Sequence, residues 1–183
     1  MKKNIALLAG GKNSRMGGFT KSFLKFKNEY FLQRVLKEFN DFHKIVIISN
    51  EKKLYKEYQV ETFEDLIKDI GPLGGIYTAL SSINDSCFIV ACDMPFLNQE
   101  KILNFYNDLD HYDAVIPIYK NRPQPLCALY NISVLKYIKE AIDNDDFKIM
   151  IPLKKARVKF VEIDDDKLFV NINTPEEYRA LTL

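Results

Sequence analysis

Three groups of residues in this chain have the types and spacing to handle phosphate. The first follows the apolar run Ile5 to Ala9, where Gly10 and Gly11 allow a sharp turn into Ser14, Arg15, Met16, Gly17, Gly18, Phe19, Thr20 and Lys21. A buried strand, a glycine turn and cations just beyond it are how α/β proteins commonly cradle phosphates. The stretch has neither the GxGxxG spacing nor GxxxxGK[ST]. The second is Asp93, directly after Ser86-Cys87-Phe88-Ile89-Val90-Ala91-Cys92. A carboxylate at the end of so apolar a strand is held by a rigid frame, and its hard oxygens suit Mg²⁺ bound against substrate phosphates. The third is Asn171 and Asn173, beside the capping box Thr174-Pro175-Glu176-Glu177 with proline at the first helical position. These asparagines either hydrogen bond a phosphate or a heterocycle, or fix the turn.

The elements that must position these groups are legible from periodicity. Lys44 to Asn50 reads as a second strand, and Asn50 either faces a ligand at the sheet edge or caps a helix over Glu51 to Tyr58. Phe31, Leu32, Val35, Leu36 and Phe39 predict a helix from about Tyr30 to Asn40, after a short strand within Ser22 to Phe26 and a turn at Lys27-Asn28-Glu29. Val60 to Phe63 suggests another strand before Glu64 and Asp65. Gly71-Pro72-Leu73-Gly74-Gly75 then predicts a defined turn into a helix through Ile76, Ala79, Leu80 and Ile83. Asn98 is placed to cap a helix carrying Ile102, Phe105, Tyr106 and Leu109.

Asp113 to Tyr119 is strand-like, although Pro117 argues against a hydrogen-bonded central position. A turn holding Arg122 and Gln124 leads to a partner strand over Leu126 to Tyr130, interrupting the strand and helix alternation where an acceptor pocket can be added. Leu135, Ile138 and Ile142 mark a helix; Phe147, Ile149, Met150 and Leu153 suggest another, broken near Pro152; Arg157 to Ile163 suits a strand. Asp143-Asn144-Asp145-Asp146 lacks the glycine turn and terminal glutamate of a calcium loop and reads as a solvated connection.

Composition narrows the class. The 183 residues carry a formal net charge of +1, with 47% hydrophobic and 28% charged residues. One domain with a core of several strands and helices on both faces is expected. The balanced charge argues against nucleic acid as partner but leaves room for a local basic patch. No run approaches the roughly 18 apolar residues of a membrane span, and the residues before the first strand are too few for a convincing secretory signal. Cys87, Cys92 and Cys127 sit in apolar segments without CxxC spacing, the pattern of buried thiols in a reducing cytoplasm.

The string Leu8 to Lys21 closely resembles the signature loop of nucleotidyltransferases of the molybdenum cofactor guanylyltransferase type. Gly71-Pro72-Leu73-Gly74-Gly75, Cys92-Asp93-Met94-Pro95-Phe96-Leu97, Gln124-Pro125-Leu126 and Asn171-Ile172-Asn173-Thr174-Pro175-Glu176 follow in that family's order. The resemblance implies a single-domain, three-layer αβα fold with a mainly parallel, Rossmann-like nucleotidyltransferase sheet and one antiparallel strand; periodicity alone gives only the αβα alternation. It implies that residues 1–97 mainly bind nucleotide and 98–183 mainly bind the acceptor. The implied reaction joins GMP from GTP to the terminal phosphate of molybdopterin, or Mo-molybdopterin, with release of pyrophosphate.

Carried over by position, the resemblance implies that Leu8, Ala9 and Gly10 lie against the nucleotide while Gly11 bends the chain around phosphate. Arg15 and Lys21 neutralise the triphosphate, Asn50 and Asp65 contact guanosine, and Asp93 binds Mg²⁺. Arg122, Gln124, Asn171 and Asn173 are candidates for the pterin phosphate end, and either asparagine is a candidate to complete the metal environment. A molybdoenzyme or another cofactor-synthesis protein is a candidate delivery partner. Two departures stand out: Thr20 replaces the family's usual aspartate before the signature lysine, and Ser22 follows where glycine is frequent. The alternatives are a molybdopterin cytidylyltransferase, transfer to another small phosphorylated acceptor, or a noncatalytic nucleotide-binding or cofactor-delivery module.

Overall fold

The computed structural model describes residues 2–10, 21–165, 167–170, 172 and 174–182. Gly11, Arg15, Thr20, Asn171 and Asn173 therefore lie outside the described residues. In chain order the first elements are β1 (Asn4–Leu8), β2 (Lys25–Phe26), β3 (Glu29–Tyr30), α1 (Phe31–Glu38), β4 (Lys44–Ile48), β5 (Glu61–Phe63), α2 (Pro72–Ile83) and β6 (Cys87–Ala91). They continue with α3 (Gln99–Tyr106), β7 (Ala114–Tyr119), β8 (Arg122–Pro123), β9 (Cys127–Tyr130), α4 (Leu135–Asp143), α5 (Met150–Lys155), β10 (Val158–Glu162) and α6 (Pro175–Thr182).

One sheet runs β5-β4-β1-β6-β9-β7-β10, with β8 attached to β7. β5, β4, β1 and β6 are parallel neighbours, β9 runs antiparallel to both β6 and β7, and β10 is parallel to β7. The expected mainly parallel sheet with a reversed strand is what the chain forms. Strand β1 is buried along its whole length because it alternates between two cores. Ile5, Leu7 and Ala9 face a core built with α1 and α3, whereas Ala6 and Leu8 face one built with α2, α4 and α5. A continuous apolar run is the sequence form of such two-sided burial.

From β1 the chain crosses to β4 and β5 on one side, then returns to β6 on the other. The order therefore reverses between β1 and β6, and open α/β sheets bind ligands at the carboxyl ends flanking such a reversal. The Cys92 N–H donates to Leu8 O at 3.1 Å, and the Ala9 N–H donates to Ile48 O at 2.9 Å. These bonds lock the ends of β1, β4 and β6 together just below Gly10 and Asp93.

Local chemistry explains where the elements depart from expectation. The segment Ser22 to Phe26 divides into a 3₁₀ turn at Lys21–Phe23 and the short β2, which pairs with β3. Lys27 and Asn28 both take left-handed φ, 49° and 66°, the geometry of a two-residue hairpin. The helix expected over Glu51 to Tyr58 is a 3₁₀ helix, Lys52–Tyr58. Pro117 lies inside β7, where the Pro117 carbonyl accepts from Gln124 N at 2.8 Å. In extended chain a residue's N and C=O point to the same side, so the missing donor falls where β7 passes from β9 to β8. Pro152 does not break a helix from Phe147; α5 starts at Met150 with Pro152 in its first turn, where a backbone donor is not needed.

Gly71 starts α2 with φ 66° and ψ −153°, a conformation open essentially to glycine alone, and Pro72 occupies the first helical position. A Cβ on Gly74 would stand 2.8 Å from Ile67 O, so the helix start leaves no room for a side chain there. A Cβ on Gly75 would stand 3.2 Å from a Leu8 methyl, which places α2 directly against the end of β1.

At the opposite edge of the sheet, Asp113 ties three elements together. Its carboxylate accepts from Ser133 Oγ at 2.6 Å and from the Arg157 main-chain N–H at 2.9 Å, and it pairs with the Arg157 side chain. Burial acts to raise this carboxyl's pKa, but the hydrogen bonds from Ser133 and Arg157 outweigh it and leave the pKa below its ordinary value. A depressed folded pKa contributes stability that is present above the unfolded value, near pH 4, and is lost as pH falls through the folded value. Asp113→Asn is therefore expected to lower the urea midpoint at neutral pH and to flatten its decline below about pH 4. Parallel declines for parent and variant would show that Asp113 carries no linkage.

Candidate active site

Asp93 stands two residues past β6, held by the Cys92 to Leu8 bond on one side and by the Ile172 N–H, which donates to Asp93 O at 3.1 Å, on the other. The last motif thus reaches the site through its middle residue. The segment leading to it is anchored where Phe169 stacks on Tyr119 at 4.9 Å between ring centroids.

Lys21 approaches from the turn that ends the glycine-rich loop, and its Nζ donates to Asp93 Oδ2 at 2.9 Å. The side chains of Lys21 and Asp93 are only 18% and 16% exposed, so the pair is largely shielded from water. Asp93 Oδ1 is buried without a hydrogen-bond partner among the described residues. An unpartnered carboxylate oxygen beside a lysine fits a site where a divalent cation and phosphate oxygens complete the coordination. Among the described residues no three His, Cys, Asp or Glu side chains gather as a metal cluster. Among the described residues, Asp93 is the one that would hold a cation here.

Leu8 O and Ala9 N are both engaged in the sheet, so the first main-chain groups beyond that ladder are Ala9 C=O and Gly10 N–H. Gly10 is exposed, and a Cβ built on it meets nothing within 4 Å. None of the described residues therefore crowds a side chain there.

Asn50 and Asp65 form a reciprocal pair. Asn50 Nδ2 donates to Asp65 Oδ2 at 2.8 Å, and Asp65 N–H donates to Asn50 Oδ1 at 3.1 Å. Asn50 does not cap the following helix; the nearby Glu51 N–H instead bonds to Ser49 Oγ at 3.1 Å. Burial raises the Asp65 pKa above its ordinary value, against the lowering effects of the Asn50 hydrogen bond and the Lys68 charge. Asn50 follows β4 and Asp65 follows β5, so both occupy the same carboxyl edge as Asp93, on the other side of β1.

Arg122 and Gln124 lie on that edge in the opposite direction, beyond β6. The Ala91 N–H donates to Leu126 O at 2.9 Å, bringing Gln124-Pro125-Leu126 alongside the end of β6. Gln124 Nε2 donates to Arg122 O at 3.1 Å within its own turn, and the Arg122 side chain is exposed. The described candidates therefore form a row along one sheet edge: Asn50 and Asp65, then Gly10, then Lys21 and Asp93, then Gln124 and Arg122.

Sequence patterns did not single out the buried hydroxyls beneath this row. Ser22 Oγ lies 3.2 Å from Tyr55 Oη, and both residues are fully buried. The only sequence signal was Ser22 standing where glycine is frequent, because Tyr55 reads as one more apolar residue. Burial pushes the Cys92 thiol up to about 11, so it is not a thiolate nucleophile near neutral pH. All three cysteines are free, with Cys87 and Cys127 buried.

A lysine paired with a carboxylate that keeps one unpartnered oxygen, at the switch point of an open α/β sheet, fits the nucleotide-handling class of α/β proteins. Comparison with known proteins makes the class specific. The model of the MobA-like NTP transferase domain matches residues 5–156. A probable molybdenum cofactor guanylyltransferase of Clostridium perfringens is 40% identical over 99% of this chain and 96% of its own length. The molybdenum cofactor guanylyltransferase of Syntrophotalea carbinolica is 32% identical over 96% of this chain and 88% of its own. The crystal structure of molybdopterin-guanine dinucleotide biosynthesis protein A from Archaeoglobus fulgidus superposes with a TM-score of 0.85 at 29% identity, covering 98% and 96% of the two chains. The chain belongs to the molybdenum cofactor guanylyltransferase family, and it is a nucleotidyltransferase. Among the described residues no helix is long and apolar enough to cross a membrane.

Proposed function

We propose that this enzyme transfers GMP from GTP to the terminal phosphate of molybdopterin or Mo-molybdopterin, using the row of residues on the sheet edge. The observation that carries the proposal is Lys21 Nζ at 2.9 Å from Asp93 Oδ2 at the switch point, with the buried Asp93 Oδ1 lacking a hydrogen-bond partner among the described residues. An oxygen of the acceptor phosphate attacks the α-phosphorus of GTP, a P–O bond forms, and the bond to the β-phosphate oxygen breaks to release pyrophosphate. Both reactants are anions, so the protein must place positive charge where they meet. Lys21, together with Arg15, supplies that charge, and no protein nucleophile is needed. Asp93 is the residue that would hold Mg²⁺; when bound, the ion would neutralise charge on the triphosphate and on the departing pyrophosphate.

At the guanosine end, Asn50 and Asp65 offer a carboxylate and an amide already ordered against each other, with Ala9 C=O and Gly10 N–H as neighbouring main-chain groups. Leu8 contributes as the wall between this edge and α2, and Gly11 bends the chain around phosphate. Arg122, Gln124, Asn171 and Asn173 serve the pterin phosphate end, with either asparagine available to complete the metal environment. Residues 1–97 thereby form mainly the nucleotide half and 98–183 mainly the acceptor half, within one domain. The free thiols support a cytoplasmic setting, and a molybdoenzyme or cofactor-synthesis protein would receive the product.

The test is pyrophosphate release from GTP, CTP and ATP with Mg²⁺, with and without molybdopterin. Release that requires GTP and molybdopterin together is expected. A preference for CTP would replace the base assignment, and nucleotide binding without acceptor-dependent release would move the protein to a delivery role. Asp65→Ala is expected to raise KM for GTP about tenfold or more while changing kcat less, because a base contact acts mainly on binding. An unchanged KM would remove Asp65 from the guanosine site.

A further inference from the structure

The buried hydroxyls beneath the active site form a post directly under Lys21. Tyr55, from the 3₁₀ helix after β4, is fully buried, and its hydroxyl meets the equally buried Ser22 Oγ at 3.2 Å. Ser22 is the residue next to Lys21 and the centre of the 3₁₀ turn Lys21–Phe23. The same turn is gripped from its other end, where Phe23 stacks on the Tyr55 ring at 5.5 Å and meets Tyr30 edge-on at 6.0 Å. Leu24 N–H closes the turn on Lys21 O at 3.0 Å. One tyrosine thus holds Lys21's backbone through a polar contact on one neighbour and a ring contact on the next.

We propose that Tyr55 is a positioning residue: through Ser22 it fixes the turn from which Lys21 reaches Asp93 and the reacting phosphates. This inference rests on the role given above to Lys21. A lysine side chain has several rotatable bonds, so its ammonium can be placed reproducibly only if its main chain is fixed. The hydroxyl does this in a way packing alone does not, because a hydrogen bond between two buried hydroxyls specifies both distance and direction. Burial pushes the Tyr55 hydroxyl up to about 12, so it stays protonated and acts as a fixed polar group rather than as a base. Ser22 supplies the partner hydroxyl.

The test uses the full-length enzyme and a double-mutant cycle. Tyr55→Phe keeps the buried ring and its stacking on Phe23 but removes the hydroxyl; it is expected to lower kcat about tenfold while leaving KM for GTP within about twofold. Ser22→Ala, which removes the other hydroxyl, is expected to reproduce the loss. In a Lys21→Ala background, read with enzyme in excess over labelled GTP so that the residual rate is measured, Tyr55→Phe is expected to cost nothing further. A merely structural hydroxyl would lower the rate by the same factor in both backgrounds, and that result would overturn the proposal. So would a parental kcat for Tyr55→Phe in the intact enzyme. Should Lys21→Ala by itself keep the parental kcat, the role of Lys21 falls first and this inference falls with it; the single and double variants tell the two failures apart.

Discussion

Asp93→Asn is expected to lower acceptor-dependent pyrophosphate release by about 10³-fold, with no recovery at high Mg²⁺. The substitution changes almost no volume, so the loss reports charge and ligand chemistry. Asparagine offers one carbonyl oxygen in place of two carboxylate oxygens, and its amide nitrogen is a donor. If that nitrogen takes the place of Oδ2 it faces the Lys21 ammonium, which is also a donor. If it takes the place of Oδ1 it puts a donor where the buried, unpartnered acceptor stood. Either orientation spoils one of the two functions that Asp93 combines.

The fold should survive, because the Asp93 main chain is held independently by Ile172 and by the Cys92 to Leu8 bond. Circular dichroism and the thermal midpoint should therefore change little compared with turnover. Turnover within a few-fold of the parent would remove Asp93 from the centre of the mechanism.

The residues that carry this prediction are legible in the amino-acid sequence itself. A carboxylate after the six apolar residues Cys87 to Cys92 reads as the end of a buried strand, and Cys87–Ala91 is that strand. The helix from Phe31, the α2 start at Gly71-Pro72 and the Thr174 to Glu177 capping box are legible for the same reason: each is written in short-range spacing. The resemblance implied one antiparallel strand and the turn at Arg122 and Gln124 suggested that Leu126 to Tyr130 partners the preceding strand, but neither placed β9 between β6 and β7, since period-two alternation does not encode which strands meet. Pro117 misled because proline reports a missing donor, not whether a neighbouring strand needs one at that point. Asn50 was ambiguous because a cap and a cross-strand partner demand the same amide, and only the fold brings Asp65 within 2.8 Å. Tyr55 was invisible because its ring serves the core while its hydroxyl serves the site, and hydropathy patterning registers only the first.

Lys21→Ala separates the two halves of the central pair, because its two consequences have opposite signs. Turnover is expected to fall about 10²- to 10³-fold, since the variant lacks the cation that meets charge developing between two phosphates. The Mg²⁺ concentration for half-maximal turnover is expected to fall as well, by a few-fold to about tenfold. In the resting enzyme the Lys21 ammonium donates to Asp93 Oδ2, so a divalent ion arriving at Asp93 meets a carboxylate already neutralised by its neighbour. Removing the ammonium leaves that carboxylate uncompensated and more attractive to a cation. A Mg²⁺ titration of residual pyrophosphate release reads both effects in one experiment. If the half-maximal concentration instead rises, Lys21 helps to assemble the metal-bound substrate and does not compete with the ion for Asp93. If turnover is unchanged, the pair is a structural clasp and the charge needed for phosphate attack comes from elsewhere in the site. Lys21→Arg sharpens the distinction: it restores the charge but not the shape, because a planar guanidinium cannot present its donors from the position of a compact ammonium. Recovery of the parental Mg²⁺ requirement without recovery of turnover would show that neutralising Asp93 takes only charge, whereas transfer requires an ammonium in this position.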